Sequence, residues 1–488
     1  MEVYNYKHYH EQFMQNLNGT TPTEILLVVL PAPIGIFLST FLCAVLLCLK
    51  PQKISTPTNF VCWLPIFVDF ITMIVPLVLC FTICSDIHVV ITLIFMVGLF
   101  ICVVYCCTSC RKVLSQDYVS TLLTTQILPN KRPFVTNFRA VMNLMTGICI
   151  LAVDFKVFPR RFAKTETFGY GLMDTGVGMF VISNAVVIPE ALGYKGKSQT
   201  LASAMWRSIK STVPLLLLGS IRFFVTKQID YHMHVSEYGV HWNFYITLAI
   251  TKIICTLILQ FVDSDYSVII TAVVIGIHEL MLVSGIQDWV LSNVARENFV
   301  TANREGIVSC LGYVALYFAG ICLGQGLRDY KSSFQSNIYL MGKQIIISVL
   351  LWSATALCKY WFGVSRRLAN IGYIIWILAL STTVLVILIL VELLTWTLNM
   401  VFKANTKNEK DGRFHLTIGY VPVTLEAINY NGLFFFLLAN VVTGLINISV
   451  QTLTFGVLQS LSIICGYMFV ICNVTVLLYF KKIKLKVW

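Results

Sequence analysis

Long apolar runs separated by short polar loops repeat along this chain from about residue 25 to residue 480. About 20 helical residues cross the hydrocarbon core of a bilayer, so each such run reads as one span. In hydrocarbon the backbone must satisfy its own hydrogen bonds, which leaves helices or closed barrels. The runs are too long for barrel strands, so helices are expected throughout. The pattern predicts about 13 membrane helices in one bundle, over residues 25–49, 60–84, 86–108, 138–154, 168–190, 206–226, 242–262, 265–285, 306–326, 337–357, 371–398, 431–449 and 456–479. Pro31, Pro33, Pro65 and Pro76 fall inside runs and read as kinks, because neighbouring helices can re-satisfy the freed backbone groups. Residues 1–24 form a polar N-terminal segment with no apolar core of the signal-peptide kind. Residues 25–480 form the membrane domain, and 481–488 a basic tail.

Composition supports the membrane class. The chain is 57% hydrophobic and 12% charged, where a soluble protein carries about a quarter charged residues. Its net charge of +12 belongs mostly to short loops and sets orientation, so no nucleic-acid partner is expected. With the N-terminus away from the cytoplasm, the larger share of Lys and Arg falls on the cytoplasmic side, as the positive-inside rule requires. Arg111, Lys112, Lys131, Arg132, Lys195, Lys197, Lys403, Lys407, Lys410 and the K-K-I-K-L-K run carry that bias. Asn18-Gly19-Thr20 fits the same orientation as a glycosylation acceptor. The 16 cysteines lie mostly within apolar runs and read as small hydrophobes. Cys106, Cys107 and Cys110 cluster at a span end, where packing or palmitoylation suits them better than zinc. No metal is expected.

Against this sparing use of charge, residues 154–166 read D-F-K-V-F-P-R-R-F-A-K-T-E. The stretch holds two carboxylates with Lys156, Arg160, Arg161 and Lys164, interleaved with Phe155, Phe158 and Phe162. By the spans above it lies on the non-cytoplasmic side, where lysine and arginine are least expected. A solvated charge run is the ordinary reading of such a loop. Its position and its paired signs point instead to an anion-binding site.

Ionisable residues inside membrane spans are functional candidates, because each costs about 2.5–3.5 kcal/mol at a helix centre on insertion scales. Asp154, Asp174, Arg222, His278 and Glu279 fall in the non-cytoplasmic half. Lys227, Asp230, His232, His234, Glu237, His241, Arg304 and Glu305 sit at the same edge. Asp69, Lys252 and Glu392 lie deeper. Each alone is ordinarily a paired structural group; their shared depth suggests one polar chamber. There is no G-x-S-x-G elbow, no H-E-x-x-H, no P-loop and no G-x-G-x-x-G, so serine and metal hydrolase chemistry lacks support. A carboxylate beside a cation remains, suited to deprotonating a hydroxyl and stabilising an oxyanion.

Four blocks carry a family likeness: F-P-R-R-F-A-K-T-E-T-F-G-Y-G-L-M-D-T-G-V-G (158–178), S-E-Y-G-V-H-W-N-F-Y (236–245), A-N-R-E-G-I (302–307) and, more weakly, S-R-R-L-A-N-I-G-Y-I-I-W (365–376). On these the chain resembles the inositol acyltransferases of glycosylphosphatidylinositol (GPI) anchor synthesis, the PIG-W family, and its animal branch in particular. The resemblance implies transfer of a fatty acyl group, typically palmitoyl, from acyl-coenzyme A to an inositol hydroxyl of glucosaminyl-phosphatidylinositol. It also implies an endoplasmic reticulum membrane location and a lumenal site. The terminal K-L-K-V-W resembles a retrieval signal, with ordinary positive-inside flanking as the alternative.

Under that reaction Asp154 suits the general base and Lys164 its reactive partner, with a plain salt bridge as the alternative. Arg160 and Arg161, with Lys156, suit phosphate, since guanidinium binds it bidentately. Asp174 is expected at the same chamber. His241, Trp242 and Asn243 at a span mouth suit the sugar or inositol, although Trp at a span end is ordinarily part of an interface belt. Arg304 is a further substrate-binding candidate and pairs with Glu305 in the alternative. A transporter or scramblase of anionic lipids, and a structural subunit of a glycolipid assembly, are the competing classes.

Overall fold

The computed structural model describes residues 12–13, 15, 17–48, 59–111, 132–193, 200–228, 236–328, 333–407 and 421–485. Among them the structure is helical, with one isolated β-bridge between Thr20 and Tyr170. The helices are α1 (Pro22–Val29), α2 (Pro31–Cys48), α3 (Asn59–Asp69), α4 (Val75–Phe81), α5 (His88–Arg111), α6 (Pro133–Ala152), α7 (Leu172–Ala185), α8 (Leu201–Gln228) and α9 (Phe244–Phe261). They continue with α10 (Ser267–Met281), α11 (Gln287–Leu291), α12 (Phe299–Ala302), α13 (Arg304–Gly326), α14 (Phe334–Trp361), α15 (Ile371–Lys407), α16 (Val423–Tyr430), α17 (Gly432–Ser449) and α18 (Val457–Phe480).

Each of the expected spans carries a helix, and 11 segments among the described residues are long and apolar enough to cross a bilayer. Two expected spans fall outside that set for different reasons. Helix α7 has 14 residues, about 21 Å of rise, which is short of a hydrocarbon core of about 30 Å. Helix α8 is long enough at 28 residues, but the side chains of Arg222 and of residues 224–228 lie outside the described residues. Several boundaries also move: α6 starts at Pro133 rather than 138, and α15 runs on to Lys407 rather than 398. Residues 168–171 are extended and turn-like rather than helical, and Asp154 lies past the end of α6.

Helix α15 is the spine. Its Tyr373, Trp376, Ile377, Leu380, Val384 and Leu388 are wholly buried, and α14, α2, α6, α7, α5 and α13 pack around it. A helix apolar on every side has no preferred face, so packing order rather than amphipathicity decides which helices lie inside. The span Arg304–Gly326 is 78% buried, whereas Ser264–Leu291 is 17% buried and presents its surface outward. The close approach of α13 to its neighbours needs glycine. A Cβ on Gly312 would lie 2.2 Å from the Ala369 carbonyl oxygen, and one on Gly306 would lie 2.3 Å from Cδ1 of Trp242.

Three of the membrane-depth carboxylates have a structural task. Glu392 accepts from the Phe134 amide at 3.1 Å, Asp69 from the Thr424 amide at 3.1 Å, and Glu279 from the Ile371 amide at 3.0 Å. Each amide belongs to the first turn of a helix, α6, α16 and α15 respectively. Those first-turn donors lack intrahelical partners, and the positive helix end favours an anion there. Asp69 also accepts from the Ser39 hydroxyl. His278 is likewise structural, its buried ring 3.0 Å from the Leu368 carbonyl.

Candidate active site

The loop after α6 is charged but anchored by its aromatic residues. Phe155, Phe158 and Phe162 are buried to within 1% of exposure, and burying such a side chain contributes about 1.5–3 kcal/mol. Turns close locally, with Asp154 N donating to Leu151 O at 3.2 Å and Phe155 N to Ala152 O at 3.0 Å. The intervening charges are therefore held in place rather than solvated at random. A second segment braces the loop from outside: Thr20 N donates to Tyr170 O at 2.7 Å and Glu166 N to Leu17 O at 3.1 Å.

Charges along this loop face three directions. Asp154 is 2% exposed and accepts from Nδ2 of Asn447, on α17, at 2.7 Å. Arg160 donates to the carbonyls of Val153 at 2.7 Å and Phe158 at 3.2 Å, and its guanidinium lies 4.1 Å over the Phe13 ring. Burial pushes the Arg160 pKa down to about 10, with the Asp154 charge opposing the shift. Arg161 turns the other way, reaching Glu24 at 3.0 Å and Asp86 at 2.5 Å. Burial works against its charge, but those two carboxylates outweigh it and raise its pKa. This trio borders an open groove of about 500 Å³ lined by Glu24, Leu27, Asp86, His88 and Arg161 among others.

Lys164 faces inward and begins a chain of alternating charge. Its Nζ lies 2.6 Å from Oε1 of Glu237. The same Glu237 oxygen lies 3.5 Å from Arg366, whose Nε is 2.7 Å from Oδ1 of Asp174. Lys164 and Glu237 are partly exposed, at 34% and 21% of their side chains, while Arg366 and Asp174 are at 3% and 1%. The chain therefore runs from an open mouth into the bundle. Asp174 is fixed by three further donors: Thr165 N at 3.1 Å, Thr165 Oγ1 at 2.8 Å and Gly171 N at 3.1 Å. The last caps α7 from within, a local reason for an aspartate three residues after Gly171. Burial disfavours the Arg366 charge, but Glu237 and Asp174 outweigh it and hold its pKa well above the ordinary value.

Around this chain stand aromatic groups with polar tips. Tyr170 packs edge-on to Trp376 at 5.0 Å and Tyr313 to Tyr373 at 6.4 Å. The Tyr373 hydroxyl donates to the Asp174 carbonyl at 2.8 Å. The hydroxyls of Tyr170 and Tyr313 and the indole nitrogen of Trp376 are buried without a protein hydrogen-bond partner, an arrangement uncommon in folded proteins.

A second cluster adjoins the first through consecutive residues. Arg367 lies 2.8 Å from Glu305, which Arg296 approaches at 2.5 Å and Arg304 at 3.7 Å. The two clusters are joined by the 236–245 segment. Val240 N donates to Ala302 O and Gly306 N to Tyr238 O, each at 2.9 Å, while His241 N donates to Oδ1 of Asn303 at 2.8 Å.

The four blocks singled out in the sequence thus meet at one end of the bundle. Lys164 and Asp174 come from the first, Glu237 from the second, Glu305 from the third, and Arg366 and Arg367 from the fourth. Lys164 bonds Glu237, and Asp154 bonds Asn447. Glu237, Arg366 and Arg367 owe their place to pairing across separate loops, which leaves no local spacing to read. Membership of the blocks marks all three, and Glu237 also lies among the edge residues of the sequence. Asn243 is occupied as the α9 cap, accepting from Tyr245 N and Ile246 N and donating to Gly219 O. Trp242 donates to Thr247 at 3.0 Å and covers Gly306. The His241 ring is exposed beside Phe223, 5.4 Å away, and Lys156 is exposed. Asp230, His232, His234, the side chains of Arg222, Lys227, Cys106, Cys107 and Cys110, and residues 486–488 lie outside the described residues.

Comparison with known proteins gives a consistent picture. The profile of the family described as GWT1 matches residues 6–478. The chain is 31% identical to the phosphatidylinositol-glycan biosynthesis class W protein of Dictyostelium discoideum, over 99% of both chains. It is 31% identical to the mouse glucosaminyl-phosphatidylinositol-acyltransferase PIGW over 99% of both. It is 34% identical to the GPI-anchored wall transfer protein 1 of Saccharomyces cerevisiae over 98% of both. Such even identity to amoeba, mammal and yeast singles out no animal branch.

Proposed function

The chain belongs to the GWT1 family, and on that premise we propose that it is a membrane inositol acyltransferase of GPI-anchor biosynthesis. It moves a fatty acyl group, palmitoyl in the first instance, from acyl-coenzyme A to an inositol hydroxyl of glucosaminyl-phosphatidylinositol. The name of the mouse relative supports acyl transfer to glucosaminyl-phosphatidylinositol, and that of the Dictyostelium relative a place in phosphatidylinositol-glycan biosynthesis. The observation that carries the site is the convergence of three sequence blocks on Lys164, Glu237, Arg366 and Asp174, with the fourth joined to them through the Arg367–Glu305 pair.

In this reading Asp154 accepts the proton of the inositol hydroxyl as its oxygen attacks the thioester carbonyl. The oxyanion of the tetrahedral intermediate faces Lys164, which Glu237 holds at 2.6 Å. Collapse breaks the carbon–sulfur bond, and the departing thiolate takes the proton from Asp154. Asp174 and Arg366 act behind Lys164, as a buried pair that positions Glu237. Lys156, at the exposed edge, attracts the anionic substrates. His241 contributes to the rim.

We further propose that thirteen helices cross the membrane, with residues 1–24 lumenal, 25–480 spanning, and 481–488 cytoplasmic in the endoplasmic reticulum. The loop contacts favour an odd count. The segment at residues 17–20, Asp86, the four blocks and Asn447 gather at one end, while Asn431 bonds Ile483 and Leu485 and Gln325 bonds Ser264 at the other. The test is purified protein with radiolabelled palmitoyl-coenzyme A and glucosaminyl-phosphatidylinositol, read for acylated lipid. Transfer that Asp154→Asn abolishes in a folded protein supports the mechanism. Near-normal transfer by that variant removes Asp154, and translocation of labelled lipid without transfer points to a transporter.

A further inference from the structure

The arginines around Glu305 are in excess. Arg296, Arg304 and Arg367 all approach this one carboxylate. Three cations against one anion leave a surplus of two positive charges. The electrostatic neighbours of Arg304 are Glu305, Arg296 and Arg367, so two of the three repel it. Glu305 and Arg304 are at most 2% exposed at their side chains, and Arg367 is at 9%. Buried charge of one sign without a counter-charge is costly, and proteins pair it or use it to hold a ligand of the opposite sign.

Some guanidinium donors are already engaged. Arg304 donates to the carbonyls of Val294, at 3.2 Å, and Ser292. Arg367 donates to Val290 at 3.1 Å and Arg296 to Ala302 at 3.0 Å. These bonds pin the 290–302 loop, but carbonyl dipoles do not cancel two whole charges. The Nε atoms of both Arg304 and Arg367 are buried with no hydrogen-bond partner. A second feature has the same sign. Arg304 opens the 23-residue helix α13, and its N-cap Asn303 makes no side-chain capping bond, so the positive helix end adds to the cluster. By contrast, Arg161 already faces two carboxylates and Arg160 has the Asp154 charge beside it, which makes them poorer phosphate binders than their sequence suggested.

We infer that Arg296, Arg304 and Arg367, arranged around Glu305 at the α13 N-terminus, form a phosphate-binding site. It takes a phosphate carried by one of the two substrates, the phosphodiester of the inositol lipid or a phosphate of coenzyme A. Arg296, with 24% of its side chain exposed, is the open edge through which the phosphate enters. Arg366 and Arg367 are adjacent in sequence, which sets the bound phosphate beside the Lys164–Glu237 mouth. This assignment rests on the acyltransferase reading for the identity of the substrates, but the charge surplus stands without it.

The experiment measures binding to the full-length protein apart from turnover. Thermal stabilisation of purified protein is followed with glycerophosphoinositol, coenzyme A and, as the uncharged control, myo-inositol. One of the two phosphate compounds should stabilise the wild type where myo-inositol does not, and which one does so identifies the source. Arg296→Gln, at the exposed edge, should weaken that binding by about 10-fold or more, the value of one charge-assisted hydrogen bond. Arg296→Lys should recover part of it. In the transfer assay the same variant should raise KM for the matching substrate and leave KM for the other unchanged. Binding that Arg296→Gln leaves intact, or equal stabilisation by myo-inositol, overturns the site. Should Arg296→Gln unfold, absence of phosphate-dependent stabilisation of the wild type overturns it equally. Phosphate-dependent binding in a protein without transfer activity would retain this site and remove the acyltransferase reading.

Discussion

Replacing Arg366 by methionine would remove the cation from a pair in which both side chains are at most 3% exposed. Asp174 would keep its bonds from Thr165 N, Thr165 Oγ1 and Gly171 N but lose the 2.7 Å contact to a charge. Breaking a buried pair from one side costs about 3–5 kcal/mol, because the remaining charge is left uncompensated. Three surviving donors put the expectation at the lower end, about 3 kcal/mol. Asp174→Asn strands the arginine instead, though Glu237 at 3.5 Å still faces it. The double variant removes both charges, so its loss should fall short of the sum of the single losses by about 2 kcal/mol. Unfolding of the purified chain in detergent, titrated with denaturant for the wild type and all three variants, gives the cycle. Additive losses, or a cost below about 1 kcal/mol for Arg366→Met, would refute the claim that this pair is coupled and buried.

Three further outcomes are expected. Gly306→Ala sets a methyl group 2.3 Å from the Trp242 ring and should lower stability by about 1–3 kcal/mol, with the indole fluorescence shifted; a wild-type melting curve would contradict that packing. Glu392→Ala leaves the Phe134 amide of α6 without its 3.1 Å acceptor and should cost about 1–2 kcal/mol, whereas Glu392→Gln, which keeps an acceptor, should cost less; equal losses would show that the acceptor is irrelevant. Glu237→Gln should lower kcat about 10²-fold by loosening Lys164, change KM little, and be partly rescued by Glu237→Asp; a change confined to KM would move Glu237 out of the positioning role.

The apolar runs alone set the class. Their length demands helices, and every expected span carries one, because in hydrocarbon no other open backbone arrangement satisfies its own hydrogen bonds. The blocks bearing Lys164, Asp174 and Arg304 were also visible, since clustered charge beside an apolar run stands out against its surroundings. Pairing was not visible. The reaction implied by the resemblance pairs Asp154 with Lys164, whereas Lys164 bonds Glu237 at 2.6 Å, 73 residues away in sequence, and Asp154 bonds Asn447, 293 residues away. Deep carboxylates such as Asp69, Glu279 and Glu392 looked functional from their cost alone, and each proved to serve the first turn of another helix.

The sequence by itself determined which segments are apolar enough to cross a membrane as helices and which residue types gather at their ends, because transfer into hydrocarbon is a property of each segment. Only the tertiary structure decided which charges neutralise one another and which are left over. A helix apolar all round does not encode its neighbours, and the ion pairs here join loops that only the packing of α7, α9, α13 and α15 brings together.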